Sequence, residues 1–215
     1  MSLFILILLS VLFVVTHIGM SSDPYRKQMV DKFGEWGFKA IYSLVAIATL
    51  GGAVLIYAGE EGTGTVLWQT SPWLYPLVYL IMLVAFLLFF LSFATPSPTG
   101  MMPAKSEPRG ILRVTRHPMN MGIAFFGLAH LMLGGTLGGL FLFGSLFVVG
   151  FFGAYHQDRR KARENDEAFA SFQTQTGIFP FAAIVFGKTR LEMGEFKWPV
   201  VGVALVVYVA AIILH

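Results

Sequence analysis

The chain of 215 residues contains no cysteine. Disulfides, iron–sulfur clusters, thiolate ligation of haem and cysteine nucleophiles are therefore excluded. Charge is scarce as well. Asp, Glu, Lys and Arg make up 13% of the residues, against 56% hydrophobic ones. With a mean hydropathy of +0.71, a soluble domain of this size is excluded. The composition is that of an integral membrane protein folded as one transmembrane domain over residues 1–215.

What is present are long apolar runs. Six stretches have about the length needed to cross the hydrocarbon: residues 3–19, 38–58, 73–94, 118–134, 137–155 and 198–214. The first has the length of a signal peptide. It lacks a basic n-region and a small-x-small cleavage site, so it reads as a span. The expected fold is an all-α polytopic membrane helix bundle.

The basic residues set its orientation. Arg26, Lys27, Lys32 and Lys39 lie between spans one and two. Lys105, Arg109, Arg113 and Arg116 lie between three and four, and the rest, Arg159 to Lys197, between five and six. These connections hold all fifteen Lys and Arg, whereas the connections on the other side carry only Glu60 and Glu61. By the positive-inside rule both termini lie outside and the basic connections face the cytoplasm. The expected location is the cell's inner (plasma) membrane, with the bilayer itself as the main partner. The pI of about 9.2 is explained by this topology and does not call for nucleic acid.

One stretch concentrates the chemistry: Arg113-Val114-Thr115-Arg116-His117-Pro118-Met119-Asn120-Met121-Gly122. Pro118 lacks an N–H and suits the first helical position. The residue before a proline is pushed out of the helical region, so His117 falls at the N-cap of span four. Its ring then stands by unpaired N–H groups and the positive end of the helix dipole, which disfavours imidazolium. A neutral imidazole there is a candidate metal ligand. The competing reading is that Arg116 and His117 only anchor the helix among headgroups.

Other candidates follow along the chain. His17, in Thr16-His17-Ile18-Gly19, ends the first span as its only ionisable side chain, a costly placement unless it has a partner. His130 lies thirteen residues after His117, about 20 Å along a helix axis, so the two cannot hold one metal. His17, His117 and His156 share the cytoplasmic side. The stretch from Tyr25 to Trp36 suits a surface helix. Residues 95–115, with Pro96, Pro98, Pro103 and Pro108, form a constrained loop. Gly135, Gly139, Gly144, Gly150 and Gly153 allow close packing of span five. The segment from Asp158 through Phe172 reads as one cytoplasmic interfacial helix ending near Thr176-Gly177, with Ala162, Phe169 and Phe172 on a face.

Taken together, His17, Gly34-Glu35-x-Gly37, Arg116-His117-Pro118-Met119, Ala129-His130-Leu131 and Asp158-Arg159-Arg160 resemble the NnrU family over nearly the whole chain. Members are multi-pass membrane proteins associated with denitrification and nitric oxide metabolism, and the zeta-carotene isomerases that resemble them use haem b ligated by histidine. The resemblance implies haem b with His17 and His117 as the axial pair, His130 as a further candidate, and respiratory or denitrification components as partners. Arg113, Arg116 and Arg26 are the candidate partners of the haem propionates. Asn120 departs from the apolar residue expected there.

A second resemblance is to isoprenylcysteine carboxyl and phospholipid methyltransferases. It implies S-adenosylmethionine held by Arg116, His117, Arg163 and Glu164. The Arg/Glu part is displaced here and lacks the doubled Glu of that pattern. A third possibility is a non-enzymatic subunit of a respiratory reductase.

Overall fold

The computed structural model describes residues 1–60, 64–99, 107–164 and 167–214. Glu61, Pro103 and Lys105, used above, lie outside these. The described chain is almost entirely helical, as expected. Four helical stretches are long and apolar enough to cross a bilayer: Ser2–Ser21, Tyr25–Gly59, Pro72–Ala94 and Leu137–Arg163. The expected fourth and sixth spans form shorter helices, Pro118–Met132 and Trp198–Leu214. At 1.5 Å per residue they reach about 22 and 25 Å, short of the roughly 30 Å hydrocarbon.

The chain divides into two compact units, Met1–Val78 with Gly127–Val149, and Tyr79–Phe126 with Gly150–His215.

The first unit begins with α1 (Ser2–Ser21) and α2 (Tyr25–Ala46). The expected surface helix and the second span form one helical run, broken at Gly34 with φ 72° and ψ 168°. Glycine adopts that conformation without steric cost, which lets the amphipathic stretch turn away from the apolar one. A π-helical turn (Ile47–Gly51) leads into α3 (Gly52–Gly59). A short β1 (Val66–Gln69) pairs antiparallel with β2 (Gly134–Thr136). Trp68 Nε1 donates to the Leu131 carbonyl at 2.9 Å, and Thr70 donates to that of Met132. Gly64, just before β1, packs close to Leu3 and Leu137. The start of α1 and both strand connections therefore share one end of this unit, as the charge pattern requires.

The second unit contains most of α4 (Tyr75–Ala94), α5 (Ile111–Val114), the start of α6 (Pro118–Met132), the end of α7 (Leu137–Arg163), α8 (Glu167–Gln175), α9 (Ala182–Val185) and α10 (Trp198–Leu214). Leu88, Leu91, Ile111, Val114, Met121 and Ala154 form its apolar core. A Cβ on Gly150 would lie 2.5 Å from the Asn120 carbonyl, and one on Gly122 2.9 Å from that of Ala85. Backbones meet at these points, as expected for Gly150, whereas Gly144 has open space around it.

The expected interfacial helix over Asp158–Phe172 is corrected. Its first six residues are the C-terminal end of α7, which runs to Arg163. Phe169 and Phe172 belong to the separate α8 and bury against Leu112. A helix with no proline or glycine at its charged end simply continues past the membrane surface, a feature hydropathy does not mark.

Candidate functional site

The histidines fall into two settings. In the first unit His17 sits one turn from the end of α1, between the rings of Phe13 and Tyr42, whose centroids are 5.1 and 4.5 Å away. The Tyr42 hydroxyl donates to the His17 carbonyl at 3.2 Å, tying α1 to α2. The ladder continues from Tyr42 to Phe38 at 5.6 Å, and the Arg26 guanidinium lies 5.2 Å over the Phe38 ring. Arg26 also holds Glu35 at 2.9 and 3.0 Å. Within this aromatic setting the buried Nδ1 of His17 has no hydrogen-bond partner.

His130 belongs to the same unit, stacked on Phe143 at 4.3 Å. It is on the turn that feeds the β-pair, at the end where α1 starts. His17 is fourteen residues further along α1 than Leu3, about 21 Å by helical rise. The two histidines thus occupy opposite ends of the unit.

In the second unit α6 begins at Pro118, with His117 immediately before it, as proline chemistry dictates. The residue is buried, 3% exposed. Its Nε2 lies 2.5 Å from Oδ1 of Asp158, and Arg116 Nε lies 2.8 Å from Oδ2 of the same carboxylate. An ionised carboxylate only accepts, so Nε2 carries the proton and a neutral ring keeps its lone pair on Nδ1. Arg116 Nη1 donates to the carbonyls of Gln173 and Thr176 and to the Thr176 hydroxyl. The Arg116 backbone N–H donates to Gly177, and Thr115 Oγ1 donates to the Ile178 carbonyl at 2.5 Å. The stretch singled out in the sequence is thus sewn into α7 and the chain after α8.

Arg113 is engaged too. It forks onto Glu195, Nε to Oε2 at 2.7 Å and Nη2 to Oε1 at 2.8 Å, and reaches Thr189 at 3.0 Å. The Gly110 N–H adds a third bond to Glu195 at 2.7 Å, with Gly110 at φ 51°. The Arg113 hydrogen bonds hold the Glu195 carboxyl down to about 2 against the opposing effect of burial, with the Gly110 N–H adding to the depression. Arg113 is raised in turn, chiefly by the same bond.

His17 and His117 fall in different units, so neither unit by itself holds the axial pair that the resemblance implies. Among the described residues no group of three or more His, Asp or Glu side chains is arranged to hold a metal ion. Glu164 pairs with Arg160 and Lys161 on the surface. Two partners were not assigned from the sequence: Asp158 for His117 and Arg116, and Glu195 for Arg113. The first left one trace, a carboxylate just past an apolar helix, which needs a cation if buried.

A family model for NnrU proteins matches residues 5–215. The chain belongs to the NnrU family. It is 28% identical over 201 residues to the chloroplastic 15-cis-zeta-carotene isomerase of Zea mays, covering 90% of this chain and 54% of that protein. The Arabidopsis thaliana enzyme of the same name is 28% identical over 204 residues, covering 89% and 53%. This NnrU protein therefore spans about half the length of the curated relatives it matches. No solved structure matches it. Family membership and the apolar helices make it a membrane protein.

Proposed function

We propose that this protein is a membrane-embedded isomerase that binds haem b through His17 and acts on an apolar, conjugated substrate drawn from the bilayer. The observation that carries the haem reading is the buried, partnerless Nδ1 of His17. Leaving such an atom unpaired costs about 1–3 kcal/mol, and an iron ligated there would use it. One histidine is enough to hold haem in several protein classes. Phe13 and Tyr42 supply flanking apolar surface, and Arg26 supplies a cation for a propionate in exchange for part of its bond to Glu35. The reaction class rests on the relatives' name at 28% identity.

When bound, haem supplies one-electron and Lewis-acid chemistry toward a π-system. The chain's own part is to orient the His17 ring, keep water from it and admit an apolar molecule laterally. Tyr42 does the orienting by packing its ring against the His17 imidazole, 4.5 Å between centroids. On this reading the membrane is the plasma membrane and the basic connections are cytoplasmic.

Detergent-purified protein from haem-replete cells should show a Soret band that His17→Ala largely removes. Colourless wild-type protein overturns the haem assignment. Chromatography of a cis-carotene incubated with the reduced protein tests the reaction, and unchanged isomer composition overturns that half.

A further inference from the structure

The second unit carries a cavity of about 830 Å³ that the haem reading does not use. That volume lies within the range of small-molecule sites, about 300–1,000 Å³. It is lined by the end of α4, by Arg109 and Arg113, by Ser171 and Gln175 of α8, and by Glu195 and Lys197 before α10. All these belong to the connections that the charge pattern puts on the cytoplasmic side.

The charges of the wall are unevenly spent. Arg113 is committed to Glu195, and Arg109 to Glu107 at 3.2 Å. Lys197 is exposed and makes no ion pair among the described residues. It immediately precedes α10 and places an ammonium in the wall with no carboxylate of its own. Ser171 and Gln175 add hydroxyl and amide donors. The cavity is therefore built for an anion with several acceptor oxygens.

The surroundings indicate where such an anion comes from. The chain leading to Lys197 exposes Val185, Phe186, Met193 and Trp198 to between 53% and 77%. Lys188 and Arg190 alternate with them. Bulky apolar side chains interleaved with cations, and a Trp at a helix entry, are the signature of a segment lying among headgroups. We propose that this cavity binds the phosphodiester headgroup of an anionic phospholipid of the inner leaflet, with Lys197 as the principal counter-charge.

Native mass spectrometry of the full chain in detergent tests this, with phosphatidylglycerol and phosphatidylcholine as probes. Wild type should retain phosphatidylglycerol preferentially. A lysine near a charged surface is worth about fivefold, so Lys197→Glu, which removes one positive charge and adds a negative one, should reduce that preference by about 25-fold, and Lys197→Arg should preserve it. Circular dichroism of each variant verifies folding. Equal retention of the two lipids by wild type, or an unchanged preference in Lys197→Glu, overturns the proposal. Displacement of the lipid by millimolar inorganic phosphate overturns the lipid source and assigns the cavity to a soluble phosphate.

Discussion

His17 and His117 begin as the same sequence feature, a histidine where an apolar helix meets the cytoplasmic surface, and end in opposite situations. In the first unit Nδ1 of His17 is buried between aromatic neighbours with nothing to bond. In the second, His117 is closed onto a carboxylate that also holds Arg116. Position along a helix did not decide between them. The deciding factor is whether another element delivers a partner, and α7 delivers Asp158 to His117. An uncommitted ring is available to a ligand, whereas one held through Nε2 by a shared carboxylate is part of the frame unless a ligand takes Nδ1.

Removing that carboxylate should have the largest effect. Asp158→Ala strands the Arg116 guanidinium in a buried site, and breaking a buried pair from one side costs about 3–5 kcal/mol. Thermal melting in detergent should fall steeply, and less for Asp158→Asn, which keeps an acceptor. A variant that melts like wild type would remove the structural half of the contrast. His17→Ala should do the reverse, losing haem absorbance about tenfold or more while leaving the melting of the haem-free protein nearly unchanged. Relief of an unpaired buried nitrogen, about 1–3 kcal/mol, offsets the packing lost against Phe13 and Tyr42. If His117→Ala instead abolished the Soret band in a protein that still melts cooperatively, the roles would be exchanged.

Two glycines of α7 sharpen the contrast between the units at smaller amplitude. Gly150→Val drives a side chain into the Asn120 carbonyl and the Ala124 N–H at 2.5 and 2.6 Å, and overpacking of this kind costs about 1–3 kcal/mol or more. Gly144→Ala meets nothing within 4 Å and should be neutral or stabilising by up to about 1 kcal/mol, the usual helical gain. Melting temperatures of the pair check both signs.

The helices themselves were legible because a membrane demands long uninterrupted apolar runs, and Pro118 announced the start of α6 through its missing N–H. Which ends share a side was legible from the basic connections, and within the first unit the contacts of Gly64 with Leu3 and Leu137 agree with it. The pairing of Asp158 with His117 was not legible. Forty-one residues separate them, and a carboxylate just past an apolar run does not say which cation it meets. The extension of α7 to Arg163 was missed because hydropathy marks where lipid ends, not where a helix does. The β1–β2 pair was missed because Gly134 and Gly135 carry no strand propensity and gain a partner only from Val66–Gln69.

The smallest effect separates the surface clasp from the buried centre. Glu195 ordinarily titrates at 4.5 and is held at about 2 by Arg113 and the Gly110 N–H. A depressed carboxyl stabilises the fold above its free value, and that contribution disappears as pH falls from 4.5 through about 2. The pair is about a quarter exposed, with side chains at 22% and 28%, so its worth at neutral pH is about 1 kcal/mol. Glu195→Gln should therefore melt slightly below wild type at pH 7, and the two curves should converge on acidification below pH 4.5. A gap that stays constant down to pH about 2 would show that Glu195 acts through its shape and the Gly110 bond alone. Raising the salt concentration should narrow the neutral-pH gap as well, because exposed pairs are screened, whereas the deficit of Asp158→Ala, buried beside Arg116, should hardly respond.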